Sequence, residues 1–285
     1  LWLDGGVVDH PALIGWTLSD EPVHNNYSES KLENEYAAVR AIDPHRPILI
    51  NFDSKFYWDE NFGSSSYESK VWQFVDIPEL VSFDFYPVTG WNKPQWTYIH
   101  GAATEFMLDH YLDYQKPVWD IVEASDQNLS WTPPETPGPS PAQMRFEVWD
   151  AIIHGATGIG YFTHSFNPHE WANLTPEIEA EMVRTNAQIA ELSNVILSPR
   201  PPLVVSGTEL AGRNFDFSLR RRGRDYFLLA ANADMQYRTE RVTFAFEQTP
   251  ALEEVFGENR SITPAGKRFT DDFAPVEVHI YRIRF

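Results

Sequence analysis

Short apolar runs recur along the first two-thirds of the chain, separated by longer stretches with apolar residues at every third or fourth position. The runs 13-LIGWTL-18, 48-ILINF-52, 81-VSFDFY-86, 117-PVWDIV-122 and 158-GIGYF-162 are apolar on both faces and rich in β-branched or aromatic residues. Strands covered on both sides read this way, so five strands are predicted. Helices are predicted over 28–42, 66–75, 95–114, 141–156 and 176–196. Leu32, Tyr36 and Val39 keep helical spacing in the first of these. Ser30 and Glu33 have capping-box spacing, and Thr175-Pro176 is a cap followed by a first-turn proline. Repeated strand–helix units predict a parallel sheet, open or closed into a barrel.

The pattern changes after 198-SPRPP-202. Beyond it 203–210, 214–221, 225–232, 240–246 and 276–285 alternate apolar and polar residues and are joined by turn chemistry. An antiparallel β-sandwich of about eighty residues is expected there. The chain therefore divides, on this reading, into an α/β domain over 1–200 and a sandwich over 201–285. The proline-rich stretch 133-PPETPGPSP-141 reads as a stiff loop.

Composition narrows the chemistry. The 285 residues carry 22 basic and 41 acidic side chains, a net charge of −19, which would repel nucleic-acid backbones. No apolar run approaches the ~18–20 residues of a membrane span, so no membrane partner is expected. Cysteine is absent, which removes disulfides, thiolate catalysis and cysteine metal sites and leaves the compartment open. Aromatic content is 14%, with ten tryptophans. Flat rings suit the apolar faces of sugars, although most tryptophans fill cores.

In parallel α/β barrels the reacting groups sit where the strands stop. The first predicted strand ends in Asp20-Glu21, the second in Asn51 and Asp53, the third in Asp84 and Tyr86, the fourth in Asp120 and Glu123, the fifth in His164. Each has a plain structural alternative as a solvated acid, a turn residue or a bonded histidine. Their gathering at one end of five strands is the informative feature. Two carboxylates across such a mouth can divide the work of breaking a glycosidic bond, one as proton donor and one as nucleophile.

The series 11-PALIGWTLSDEP-22, 43-DPHRPILINFD-53, 79-ELVSFDFYP-87, 115-QKPVWDIVEAS-125 and 151-AIIHGATGIGYFTH-164 resembles the second half of a clan A glycoside hydrolase, a retaining β-glycosidase with a (β/α)8 barrel. The resemblance implies a partial barrel corresponding to strands four to eight. It casts Glu21 as acid/base, Glu123 as nucleophile and Tyr86 as the tyrosine that bonds the nucleophile. Asp20 stands where the clan usually has Asn. Glu123 lies one residue later than the common spacing, and alternation from Asp120 points it to the other face, so Asp120 is the alternative. Asp20, Asn51, Asp53, Tyr86, Trp91, Trp131 and His164 are the candidate substrate contacts, with Trp16 as platform or core.

A glycoside or oligo- or polysaccharide substrate follows from the resemblance, with no metal and no organic cofactor. A non-catalytic carbohydrate binder derived from such a barrel is the alternative. Only about thirteen residues precede the first predicted strand, which leads to the expectation of a fragment, or of a truncated barrel whose open side is covered by a second copy.

Overall fold

The computed structural model describes residues 7–57, 68–126, 132–133, 136–166, 168–201, 205–208, 215–234, 236 and 238–285. Five strands form one sheet in chain order: β1 (Trp16–Thr17), β2 (Ile48–Asp53), β3 (Leu80–Asp84), β4 (Val118–Glu123) and β5 (Gly158–Phe162). The first four pair in parallel, with Trp16 beside Ile48, Leu49 beside Leu80 and Val81 beside Val118. Every one of these strands falls within or across a predicted run. The α/β parallel sheet expected from the pattern is therefore present.

Among the described residues the main helices are α1 (Glu29–Ile42), α2 (Glu68–Val71), α3 (Ile99–Phe106), α4 (Pro141–His154) and α5 (Pro176–Ile196). The cap of α1 is Ser28 rather than the Ser30–Glu33 pair. Its backbone is extended and its hydroxyl accepts the Lys31 N–H at 3.3 Å, whereas Ser30 is already inside the helix. The full capping box belongs to α4, where Ser140 and Gln143 bond reciprocally and Pro141 opens the first turn. Thr175 caps α5 as expected. The long helix predicted over 95–114 is divided: α3 gives way to a π-turn over Met107–Tyr111. Asp113 and Tyr114 then take positive φ and stop it.

The chain forms two compact units. One comprises Leu1–Phe85, Ala103–Ile121 and Gly158–Gly160, and holds most of the parallel sheet. Its core is built from Ile48, Ile50 and Phe52 on β2 and Val81 and Phe83 on β3, all fully buried. Phe56 packs on Phe83 with ring centres 5.2 Å apart. Gly158 lets β5 approach β4, because a Cβ there would run into the Trp119 indole.

The other unit comprises Tyr86–Ala102, Val122–Thr157 and Tyr161–Phe285. It contains α4, α5 and two antiparallel sheets. The first sheet, in the order β12 (Ala251–Val255), β14 (Val278–Arg284), β10 (Asp225–Ala231), β9 (Asp216–Arg222), and the second, β13 (Arg268–Phe273), β11 (Glu240–Phe246), β8 (Val205–Thr208), account for the predicted C-terminal strands. Strands β12 and β13 were not anticipated, because 268-RFTDDF-273 has too many acids to read as a buried face. One hydrophobic core is shared by both sheets, with Leu228, Ala230, Tyr281 and Ile283 from one and Val242, Phe244, Phe269 and Phe273 from the other. Helix α4 is buried from Met144 to Ile153, so Arg145, Glu147 and Asp150 are charged groups carried inside. A short hairpin, β6 (Ser165–Phe166) with β7 (His169–Glu170), follows β5.

Candidate active site

The polar residues predicted at the strand ends fall into two groups, one in each unit. The first is built on β1 and β2. The N–H of Glu21 donates to the Asn51 carbonyl at 3.1 Å, so the chain leaving β1 stays pinned to the end of β2. Glu21 itself has φ +44°, a left-handed conformation that costs a non-glycine residue on the order of 1–3 kcal/mol. A relay orients its neighbour: the Ser82 hydroxyl donates to Asn51 Oδ1 at 2.8 Å, and Asn51 Nδ2 donates to Asp20 Oδ1 at 3.1 Å. Asp53, buried at the end of β2, has His24 Nδ1 at 3.4 Å and Lys55 Nζ at 3.8 Å. The structure thus brings Asp20, Glu21, Asn51 and Asp53 together at neighbouring strand ends, with His24 and Lys55, which the strand pattern does not mark, beside Asp53.

Electrostatics follow from this crowding. Burial pushes the Glu21 carboxyl up, the charges of Asp53 and Asp20 push it further, and Lys55 pulls back, leaving its pKa at about 7. A carboxyl with that value is close to half protonated at neutral pH, the condition for both giving and taking a proton. Asp20, where the clan has Asn, contributes to that rise.

The second group surrounds Glu123 at the end of β4. Its carboxylate is fully buried. Oε1 accepts the Val88 N–H at 2.7 Å, and Oε2 accepts the Thr89 N–H at 2.6 Å and the Thr89 hydroxyl. Burial pushes its pKa up, and these three donors pull it back toward the charged form. Just beyond, the N–H groups of Ala124 and Ser125 both donate to the Phe162 carbonyl at 3.0 Å. The Phe162 ring lies 4.8 Å from Tyr86 and 4.1 Å from His164. Asp120, the alternative to Glu123, is also fully buried. Trp91 is 38% exposed, and Trp131 lies outside the described residues. Trp16 donates its indole N–H to Asp43 at 2.9 Å, so it braces β1 against the end of α1.

The profile of glycoside hydrolase family 42, described as Beta-galactosidase, matches residues 29–173, half of the chain. The chain belongs to glycoside hydrolase family 42. That membership bears out the resemblance to clan A glycoside hydrolases. Asn51, Asp53, Tyr86, Asp120, Glu123 and His164 lie inside the family 42 match, and Asp20-Glu21 precede it. No curated protein matches in sequence.

Among solved structures, the chain is similar to an alpha-amylase from Geobacillus thermoleovorans complexed with acarbose. There the TM-score is 0.59 at 10% identity, over 98% of this chain and 62% of that one. It is similar also to a GH27 β-L-arabinopyranosidase from Geobacillus stearothermophilus (0.57, 7%, 95% and 58%). A GH30 endoxylanase from Clostridium papyrosolvens C71 gives 0.52 at 12% identity, over 97% and 67%. At such identities the likeness is one of fold. The chain spans about three-fifths of the length of the amylase and the arabinopyranosidase.

One part of this family 42 chain carries residues that the strand pattern did not single out. On the β6–β7 hairpin, Phe166, His169 and Trp171 gather around His164, with ring centres 4.8, 5.8 and 5.9 Å from it. Trp171 is 77% exposed. The Thr163 hydroxyl donates to the Trp171 carbonyl at 3.0 Å, and the Asn173 N–H donates to the Thr163 carbonyl at 2.8 Å. The local signal was present in 164-HSFNPHEW-171, four rings in eight residues directly after a strand. Burial and the neighbouring His169 hold the His164 pKa below its ordinary value, which favours the neutral, stacking form of the ring. Among the described residues no helix is long and apolar enough to cross a membrane.

Proposed function

We propose that the chain contributes the catalytic carboxylates of a retaining β-galactosidase. Glu21 is the acid/base. It protonates the glycosidic oxygen as the bond to the leaving sugar breaks, then takes a proton from the water that completes the reaction. Glu123 is the nucleophile that forms the intermediate glycosyl ester. The observation that carries this reading is the Glu21 pKa of about 7, beside two further acids at the end of a barrel-type strand. Family 42 membership supports the substrate class.

Support for Glu123 is its position at the end of β4 and the three donors aimed at its carboxylate, which oppose the upward push of burial. Each carboxylate oxygen has two lone pairs, so the Oε1 that accepts only Val88 N–H keeps one for attack. Reaction there requires the 88–89 turn to move enough to admit the sugar. Asp20, Asn51 and Asp53 hold sugar hydroxyls in this reading, with Tyr86, Trp91, Trp131 and His164 as further contacts. We read the two antiparallel sheets as the layers of one accessory sandwich, on the support of their common core.

The test is hydrolysis of aryl β-galactosides, compared with other aryl β-glycosides, with the anomer of the first-formed product followed by NMR. Retention of the β-anomer, with turnover lost in both Glu21→Gln and Glu123→Gln, is expected. An inverted product, or parental turnover in both variants, sinks the assignment.

A further inference from the structure

A second cluster of ionisable groups shares no residue with the candidate active site. Asp150 and His154 stand one turn apart on α4, and Asp216 opens β9. His154 Nε2 lies 3.8 Å from Asp150 Oδ1 and 3.4 Å from Asp216 Oδ1. One oxygen or nitrogen from each side chain falls within 4.8 Å of the other two. Two ligands bound at about 2.0–2.1 Å to a tetrahedral ion are separated by about 3.3 Å, close to these spacings.

Asp150 is the telling member. It is fully buried. Its Oδ2 accepts the Gly101 N–H at 2.9 Å, while Oδ1 has no hydrogen-bond partner among the described residues. The approach of Gly101 is deliberate in the steric sense: a Cβ there would strike both Asp150 and His154. The backbone thus fixes one oxygen and aims the other at His154 and Asp216, as an outer hydrogen bond orients a metal-ligating carboxylate. A cation set between two carboxylates and an imidazole so placed would relieve the repulsion of the two acids. The carbonyls at the C-terminal end of α4, where His154 is the last residue, also favour positive charge there. The side chains of His154 and Asp216 are 18% and 27% exposed, so the cluster is not sealed from solvent.

We propose that Asp150, His154 and Asp216 form a structural site for a divalent cation of the zinc class, tying the end of α4 to strand β9. A shared proton between Asp150 and Asp216 is the competing way to relieve the same charge.

The full chain, stripped with chelator and dialysed, would be titrated with zinc sulfate, with bound metal counted after gel filtration. One zinc per chain and a raised Tm are expected for the parent. His154→Gln and Asp216→Asn should each weaken binding by at least about tenfold and abolish the shift in Tm. If either variant folds poorly, the parent alone decides: stoichiometric zinc must move the His154 ring resonances in NMR. Absence of zinc binding, binding that persists equally in both variants, or bound zinc that leaves His154 unmoved would overturn the site and leave the shared proton.

Discussion

Glu21 and Glu123 are the same side chain at the ends of two strands of one sheet; burial raises the pKa of both, and their surroundings answer that rise differently. Glu21 is half-buried with Asp20 and Asp53 nearby, in a strained backbone conformation, and is driven toward the protonated form. Glu123 is wholly buried, which raises its pKa too, but three donors from Val88 and Thr89 converge on it and oppose that rise. The difference lies in who supplies the neighbours. Around Glu21 they are other carboxylates from strand ends; around Glu123 they are N–H groups of a turn. Burial raises both, but only the second has backbone dipoles to oppose it.

The largest expected effect is on turnover. Glu21→Gln should lower kcat for substrates with poor leaving groups by about 10²–10⁴-fold, with a smaller loss for activated aryl galactosides that need little protonation. Equal losses on both substrates would remove Glu21 from the acid role. The alkaline limb of the parent's pH–rate profile, expected near the Glu21 pKa of about 7, should disappear in the same variant.

Next in size is stability at Glu123. Glu123→Gln keeps the shape but turns an amide group toward N–H donors, at a cost of about 1–3 kcal/mol, measurable by urea denaturation. Thr89→Val removes one donor and should cost about 1 kcal/mol. If Thr89→Val also shifted the acid limb of the pH–rate profile upward, the carboxylate held by the turn would be the nucleophile. Loss of stability with unchanged pH dependence would make Glu123 a brace.

A subtler contrast concerns pH and stability. Glu21 binds its proton more tightly folded than unfolded, so its ionisation destabilises the fold. Stability from this group is present below its ordinary pKa of 4.5 and is lost as pH rises through about 7. Glu21→Gln should therefore stabilise the protein at pH 8, by about 1–2 kcal/mol after allowance for solvent screening, and change little at pH 4. Thermal melts at both values check the sign. The smallest effects belong to the tuning residues. Asp53→Asn should shift the alkaline limb downward and Lys55→Met upward, each by about a unit or less.

Legibility differed along the chain in the same physical terms. Strands β2 and β3 were readable because a strand covered on both faces must be apolar throughout, and a run such as 48-ILINF-52 has few other uses; β5 has the same apolar run but is only half-buried along its length. Helix α4 was readable from its apolar content, but its Ser140 cap and its buried charges were not. Arg145 finds Gln188 Oε1 at 2.6 Å, and Glu147 finds His100 at 3.6 Å, partners 43 and 47 residues away that no periodicity announces. Strand β13 was missed for a related reason. Asp271 receives Arg260 and the Tyr281 hydroxyl, so an acid-rich segment becomes acceptable in a sheet only through distant neighbours.

The sequence by itself determined the order of the parallel strands and their main helices, the acids and aromatics at the strand ends, and family 42 membership, because each is written in local composition and spacing. Only the tertiary structure decided what those acids meet. It set Glu21 among carboxylates, closed the 88–89 turn over Glu123, gathered Phe166, His169 and Trp171 around His164, and brought Asp216 to Asp150 and His154. A pKa or a ligand sphere is a property of neighbours within a few ångströms, and folding chooses those neighbours from segments far apart in the chain.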